Sequence, residues 1–258
     1  MDLSKLPAPA FTAVDGITQG TAAVIYLAVG VAAWLRGPGD VRTRVFLAFS
    51  LANLIVFGIP TYWWLRGLTD PTKLPVAATA AVMAALGVGA LLLFHFTQVF
   101  PRRRQWIRES GIQMTIAYAL VPIVIAGLVQ FVPASLDKIT GPYMAAMLVF
   151  GFPLLVLLGF VLPVAAIVSL LRTYREIQDT ELAYLKRPLE LILLSQIAGG
   201  TLAILFAPVL AVLAMHFGVL IGVVQPILTI AIWALGLLTP VAYAIAVFRF
   251  KVLSISAD

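Results

Sequence analysis

Four polar side chains lie within long apolar stretches of this sequence, where an amide, an imidazole or a hydroxyl needs a partner. They are Asn53, His95, Gln196 and Tyr243. At 1.5 Å per residue, each lies roughly 8–13 Å from the same end of its predicted helix. Groups at one depth can form a hydrogen-bonded layer between helices, worth about 0.6 kcal/mol per pair and up to about 2. We predict a polar layer that couples helix movement to that end, with four independently satisfied side chains as the alternative.

No residue set in the sequence has the spacing that catalysis requires. The absence of cysteine excludes thiolate nucleophiles and iron–sulfur clusters. His95 and His216 are predicted at opposite ends of their helices, so they cannot jointly bind a metal ion or haem. The last predicted helix has no lysine before Lys251 that could bind retinal. HExxH, GxSxG and P-loop motifs are missing. We expect a protein that is not an enzyme and that uses no metal or cofactor.

The composition indicates that helices in a bilayer hold these residues. Hydrophobic residues make up 62% and charged residues 11%, whereas soluble domains have about 25% charged residues. Seven apolar runs each have about 20 residues or more, the length that crosses a hydrocarbon core of about 30 Å. The sequence therefore predicts an all-α fold, one seven-helix transmembrane domain over residues 1–258, with helices at roughly 16–35, 45–65, 76–100, 111–132, 143–171, 190–215 and 219–248.

The basic residues indicate the orientation of this bundle. Of the 17 Lys and Arg residues, thirteen follow the first, third, fifth and seventh runs, and the other side has Lys5, Arg66, Lys73 and Lys138. Cytoplasmic loops are enriched in positive charge, so we expect the N-terminus outside and the C-terminus in the cytoplasm. The segment before the first run has a negative net charge, which is unlike a signal peptide. The predicted location is a bacterial inner membrane, crossed several times.

The formal charge of +6 follows from this distribution and does not indicate nucleic-acid binding. Basic loops orient membrane helices and contact anionic lipid headgroups. They are topology determinants, and two groups are also candidate docking surfaces for an acidic cytoplasmic partner. The first group is Arg102, Arg103, Arg104 and Arg108, and the second is Arg172, Arg175, Lys186 and Arg187.

Small residues recur every four positions in two of the predicted helices. This spacing places them on one helix face, where they allow close approach of another backbone. They indicate packing inside the bundle or, as the alternative, a homodimer or an interface with another membrane protein. The two stripes are Ala77, Ala81, Ala85 and Gly89, and Gly199, Ala203, Ala207 and Ala211.

Three segments resemble the N-terminal seven-helix region of bacterial sensor histidine kinases. They are the third-helix exit at 94–104 (FHFTQVFPRRR), the charged link at 171–200, and the closing segment at 240–253 (PVAYAIAVFRFKVL). The resemblance covers most of the chain and implies a sensory module. In that family a cytoplasmic output domain follows the seven helices, whereas this sequence ends at Asp258 with no phosphoacceptor region or nucleotide-binding motif.

Three functions are consistent with these features. The first is a non-catalytic sensory or signal-transduction module that recognises a lipid, a small apolar ligand or a partner helix. The second is an accessory subunit of a larger membrane complex, favoured by the small-residue stripes and the missing output domain. The third is a transporter of an uncharged or lipidic substrate, which the absence of charged residues within the spans disfavours.

Overall fold

A computed structural model describes residues 13–68, 74–100, 111–130, 149, 151–177, 181–198 and 237–249. Every regular element in these ranges is helical, which confirms the predicted all-α class. The elements are α1 (Ala13–Arg36), α2 (Val41–Leu65), α3 (Val76–Val99), α4 (Gly111–Gln130), α5 (Phe152–Val156), a π-helical segment (Leu157–Val161), α6 (Leu162–Glu176), a 3-10 helix (Glu181–Leu185), α7 (described over 186–198) and α8 (Leu237–Phe248).

Three of these helices, α1 to α3, are long and apolar enough to cross a membrane. Within the protein, only 44%, 28% and 33% of their most apolar windows are buried. Large apolar side chains therefore face outward, including Val24 at 67% exposure and Leu65 at 72%. A surface of this kind is stable in lipid and unstable in water. The helices thus indicate a membrane protein, while the count of seven spans and the orientation of the termini stay predictions.

Two predicted helix boundaries are wrong, and in both cases the helix includes charged residues. The second helix begins at Val41, not at 45, because the Asp40 side chain caps it by accepting a 2.8 Å hydrogen bond from the Arg42 backbone N–H. Most of the predicted loop at 172–189 is helical in the described residues, since α6 continues to Glu176 and a 3-10 helix begins at Glu181. Arg172 and Glu176 form an i,i+4 pair that suits this extension.

Aromatic side chains form the core where α1, α2, α3 and α8 meet. The ring of Tyr243 on α8 lies 5.2 Å from Phe46, 5.9 Å from Phe49 and 6.2 Å from Phe96, measured between centroids. Tyr26 of α1 contacts Phe49 edge to face at 5.8 Å. Buried aromatic pairs each contribute about 0.5–1.5 kcal/mol beyond the area they bury. α8 is therefore packed into the bundle together with the first three helices.

Close helix approach on the other side of α3 depends on Gly87. A Cβ atom at this position would lie 2.6 Å from Ile125 of α4 and 3.0 Å from Leu158 of the π-helical segment. The π-helical turn itself lies between Pro153 and Pro163. Pro163 has no N–H to donate to the carbonyl of Gly159, and helices commonly change geometry at such a position. α3 is therefore the central helix that contacts α2, α4 and α6.

Candidate functional site at the basic end of the bundle

The helices bring most of the described basic residues to one end of the molecule. α1, α3, α6 and α8 end there, and α2 and α7 begin there. Three contacts fix this arrangement: Phe46 to Phe96 between α2 and α3, Gln98 to Ser169 between α3 and α6, and Arg36 to Val247 between α1 and α8. We call this region the basic end, and its described cationic residues are Arg36, Arg42, Arg44, Arg172, Arg175, Lys186, Arg187 and Arg249.

Arg36 joins the ends of α1 and α8. Its Nη1 donates a 2.6 Å hydrogen bond to the Val247 carbonyl, and its guanidinium lies 5.3 Å from the centre of the Phe248 ring. The last carbonyls of a helix have no partner within the helix and carry partial negative charge. Arg36 satisfies one of them at the end of α8. The C-terminal end of α8 is therefore held by the end of α1.

Arg42 is a buried charge, although the sequence predicted it in a loop. Its side chain is 3% exposed, and its Nε and Nη2 donate to Asp40 Oδ2 at 2.8 and 2.5 Å. Burial alone would raise the pKa of Asp40, but the hydrogen bonds and positive charge of Arg42 lower it below its ordinary value. The ion pair thus closes the turn between α1 and α2, where the Thr43 hydroxyl also donates to the Asp40 carbonyl at 2.8 Å.

The four residues of the predicted polar layer have different neighbours in the structure. Gln196 of α7 is a polar neighbour of the Tyr243 hydroxyl. That buried hydroxyl makes no hydrogen bond of good geometry with the described residues. His95 Nδ1 lies 2.7 Å from the Tyr118 hydroxyl of α4. Asn53 Nδ2 donates 2.8 Å to the Phe49 carbonyl of its own helix. Asn53 and His95 thus each have a hydrogen-bond partner outside the predicted set, and the shared layer stays a prediction.

A different polar cluster, which the sequence did not indicate, joins α3 and α6. Gln98 Nε2 donates to Ser169 Oγ at 2.8 Å and to Thr97 Oγ1 at 3.1 Å. All three side chains are buried. Gln98 is only two residues from the predicted end of its span, so its depth alone does not distinguish a buried position from an interfacial one. A signal was available in the small Ser169 inside an apolar helix, but its partner depends on the rotation of two helices.

The first small-residue stripe packs inside the bundle over its second half. Ala85 is 7% exposed, and a Cβ at Gly89 would contact Ala52 of α2 at 3.9 Å. Ala77, in contrast, is exposed, and Ala81 is half-buried. The second stripe, Gly199, Ala203, Ala207 and Ala211, lies outside the described residues. The second half of the first stripe therefore contributes to the α2–α3 contact. Only its exposed first turn is available for the alternative, an interface with a second copy or another membrane protein.

The second candidate docking group forms a seam between α6 and α7. The Tyr174 hydroxyl donates a 2.5 Å hydrogen bond to Glu190, and Lys186 Nζ lies 5.6 Å from the centre of the Tyr174 ring. Arg172 pairs with Glu176 at 2.9 Å. The residues Arg175 and Arg187 are exposed and make no ion pair or hydrogen bond among the described side chains. The first docking group, Arg102, Arg103, Arg104 and Arg108, lies outside the described residues.

The chemistry of the basic end is thus hydrogen bonding, ion pairing and helix coupling. In the part of the chain that the structure describes, no group of three His, Asp or Glu side chains has a metal-binding arrangement. The sequence matches no protein-family profile and no curated protein sequence.

Proposed function

We propose that this protein is a membrane-embedded sensory module in which α8 transmits a change in helix packing to the basic end. The resemblance to the seven-helix region of bacterial sensor histidine kinases motivates the proposal, and a non-catalytic role is part of it. The basic end is then the cytoplasmic face of a bacterial inner membrane, as the positive-inside rule predicts.

The observation that carries the proposal is the environment of Tyr243. Its ring is enclosed by Phe46, Phe49 and Phe96, so α8 cannot shift without rearranging α2 and α3. Its hydroxyl is buried beside Gln196 but lacks a well-formed hydrogen bond among the described residues. An incompletely satisfied buried polar group costs about 1–3 kcal/mol. We propose that a small shift of α7 against α8 completes this bond, and that the shifted arrangement is the second packing state of the module.

A distance measurement between α8 and the rest of the bundle tests this proposal. The protein has no cysteine, so the pair Met83→Cys and Ile245→Cys can carry two spin labels at exposed positions. Phe96 of α3 lies beside Tyr243, which is two residues from Ile245 on α8. Met83 lies 13 residues before Phe96, so the two labels are separated by about 20 Å along the bundle. Double electron–electron resonance is then recorded in detergent, in phosphatidylcholine vesicles and in vesicles of the total lipid from the source membrane.

We expect two distance populations whose ratio differs among these three environments. Adding Gln196→Leu, which removes the polar neighbour of Tyr243, should move the ratio further. The matched control is the pair Met83→Cys and Leu35→Cys, which reports on α3 and α1 and should keep one distance throughout. One unchanged distance for the α8 pair in every environment would contradict a sensory role and favour the accessory subunit.

A further inference from the structure

We infer that the groove beside the α6–α7 seam binds an anionic phospholipid, with its phosphate held by Arg175 and Arg187. This site is independent of any movement of α8, so it can be right or wrong whatever the outcome of the spin-label measurement.

The seam fixes how α6 and α7 face each other. Tyr174 of α6 bonds to Glu190 of α7, and Lys186 of α7 lies over the Tyr174 ring. These three residues therefore mark the facing sides of two neighbouring antiparallel helices. Arg175 follows Tyr174 by one residue, and Arg187 follows Lys186 by one residue. A step of one residue turns a helix by about 100°. Because the helices run in opposite directions, both steps lead to the same side of the seam.

Beyond Arg172, which lies one turn before Arg175, the same side of the seam has exposed apolar side chains. On α6, Val168 and Val164 precede Arg175 by seven and eleven residues, and on α7, Leu194 follows Arg187 by seven. These spacings keep each set on one helix face. The three side chains are exposed by 57%, 38% and 62%, respectively. The groove thus offers two guanidinium groups at the basic end and apolar walls toward the middle of the membrane.

The charges around this groove favour an anion. The Glu190 carboxylate accepts the Tyr174 hydrogen bond and lies in the same seam as the Lys186 ammonium. Glu176 pairs with Arg172, which lies one turn before Arg175 on α6. Neither arginine has an anionic partner among the described side chains. Guanidinium groups bind phosphate oxygens through charge-assisted hydrogen bonds, and an anionic lipid supplies both the phosphate and the acyl chains.

Native mass spectrometry of the detergent-purified protein, titrated with phosphatidylglycerol, tests the site. The test variant is the double substitution Arg175→Gln with Arg187→Gln. The matched control, Arg44→Gln with Arg249→Gln, removes the same charge from the same end but outside the α6–α7 seam. We expect the test variant to bind its first phosphatidylglycerol roughly tenfold more weakly or worse, and the control to bind it as the wild type does. Soluble glycerol 3-phosphate should not compete.

Three results would overturn the inference. Equal loss in both double variants would mean general attraction to a basic surface. Displacement of the lipid by glycerol 3-phosphate would identify a site for a free phosphate ester. The third result is an acidic polypeptide that co-purifies with the wild type and is lost from the test variant, while lipid binding is unchanged. This result would identify a protein-docking surface. Thermal unfolding of both variants in the same detergent checks that they are folded. The conservative double substitution Arg175→Lys with Arg187→Lys should retain part of the lipid binding that the glutamine variant loses.

Discussion

The two ends of the α1–α2 pair are packed in different ways. At the basic end, large side chains from α1, α2, α3 and α8 interlock around Tyr243. At the opposite end, α1 and α2 approach through small residues, with Gly16 against the Trp64 ring and Gly20 next to Thr61. Tyr62 at this end is 50% exposed. The basic end therefore joins helices that are distant in sequence, whereas these opposite-end contacts join neighbours in the chain.

This difference affects how a change in helix packing would pass from one helix to the others. A region where distant helices share one aromatic core has few ways to rearrange, and each of them moves several helices together. An end joined by close backbone approach can open without disturbing that core. We therefore expect substitutions at the basic end to lower the free energy of unfolding more than comparable substitutions elsewhere.

Tyr243→Ala removes the centre of the aromatic core and should have the largest effect. Loss of its packing against three phenylalanine rings is expected to lower the free energy of unfolding by about 3–5 kcal/mol. Ile245→Ala is the control on the same helix, at a side chain that is 36% exposed, and should cost less than about 1 kcal/mol. Denaturant titration in mixed micelles measures both. Equal losses would mean that α8 is not packed as described.

Asp40→Asn should come next, because it removes the carboxylate that pairs with the buried Arg42 guanidinium. We expect a loss of about 3 kcal/mol. The pKa of Asp40 is lowered in the folded protein. The carboxylate therefore makes its full contribution to the free energy of unfolding above the pKa of an unfolded aspartate, about 4. It is lost as the pH falls through the lower folded pKa. Acid should therefore narrow the stability difference between the wild type and Asp40→Asn.

Glu176→Gln is the control for that ion-pair substitution. It breaks the pair with Arg172, whose two side chains are 71% and 52% exposed, and should cost less than about 1 kcal/mol. A larger loss for Glu176→Gln than for Asp40→Asn would contradict the burial of Arg42.

Arg36→Met removes the connection between the ends of α1 and α8. Loss of a charged hydrogen bond to the Val247 carbonyl is expected to cost about 1.5–3 kcal/mol. Arg66→Met is the matched change at the opposite end, where the guanidinium only stacks 5.4 Å from the exposed Tyr62 ring among the described contacts, and should cost about 0.5–1 kcal/mol. Faster amide hydrogen exchange in α8 is expected for Arg36→Met alone.

Ser169→Ala should have the smallest effect of the series. It removes the acceptor of Gln98 between α3 and α6, for an expected loss of about 0.6 kcal/mol and at most about 2. Ser195→Ala is the matched control, because Ser195 is equally buried but donates to the Ile192 carbonyl of its own helix at 2.8 Å. If Ser195→Ala costs more, the link between α3 and α6 contributes little.

The sequence predicted those features that depend on local composition. The long apolar runs located α1 to α4 within a few residues. The start of α2 was missed because its cap, Asp40, looked like part of a loop. The end of α6 was missed because Arg172 and Glu176 looked like loop charges, although they stabilise one another along the helix.

The polar contacts were harder to predict, because depth in the membrane does not determine which sides of two helices face each other. Asn53, His95, Gln196 and Tyr243 were grouped by depth alone. His95 instead faces Tyr118 on α4, and Asn53 bonds within α2. Only the rotation of each helix decides such partners, and an apolar sequence with little amphipathic pattern does not encode that rotation in a readable form.

Labelling of single cysteines in intact cells tests most directly that the basic end is the cytoplasmic face. Tyr184→Cys places a thiol in the exposed 3-10 helix of the basic end, and Asp70→Cys places one in the segment between α2 and α3. A membrane-impermeant maleimide should label Asp70→Cys in intact cells and Tyr184→Cys only after the membrane is opened. Labelling of Tyr184→Cys in intact cells, with protection of Asp70→Cys, would contradict the orientation and the signalling role built on it.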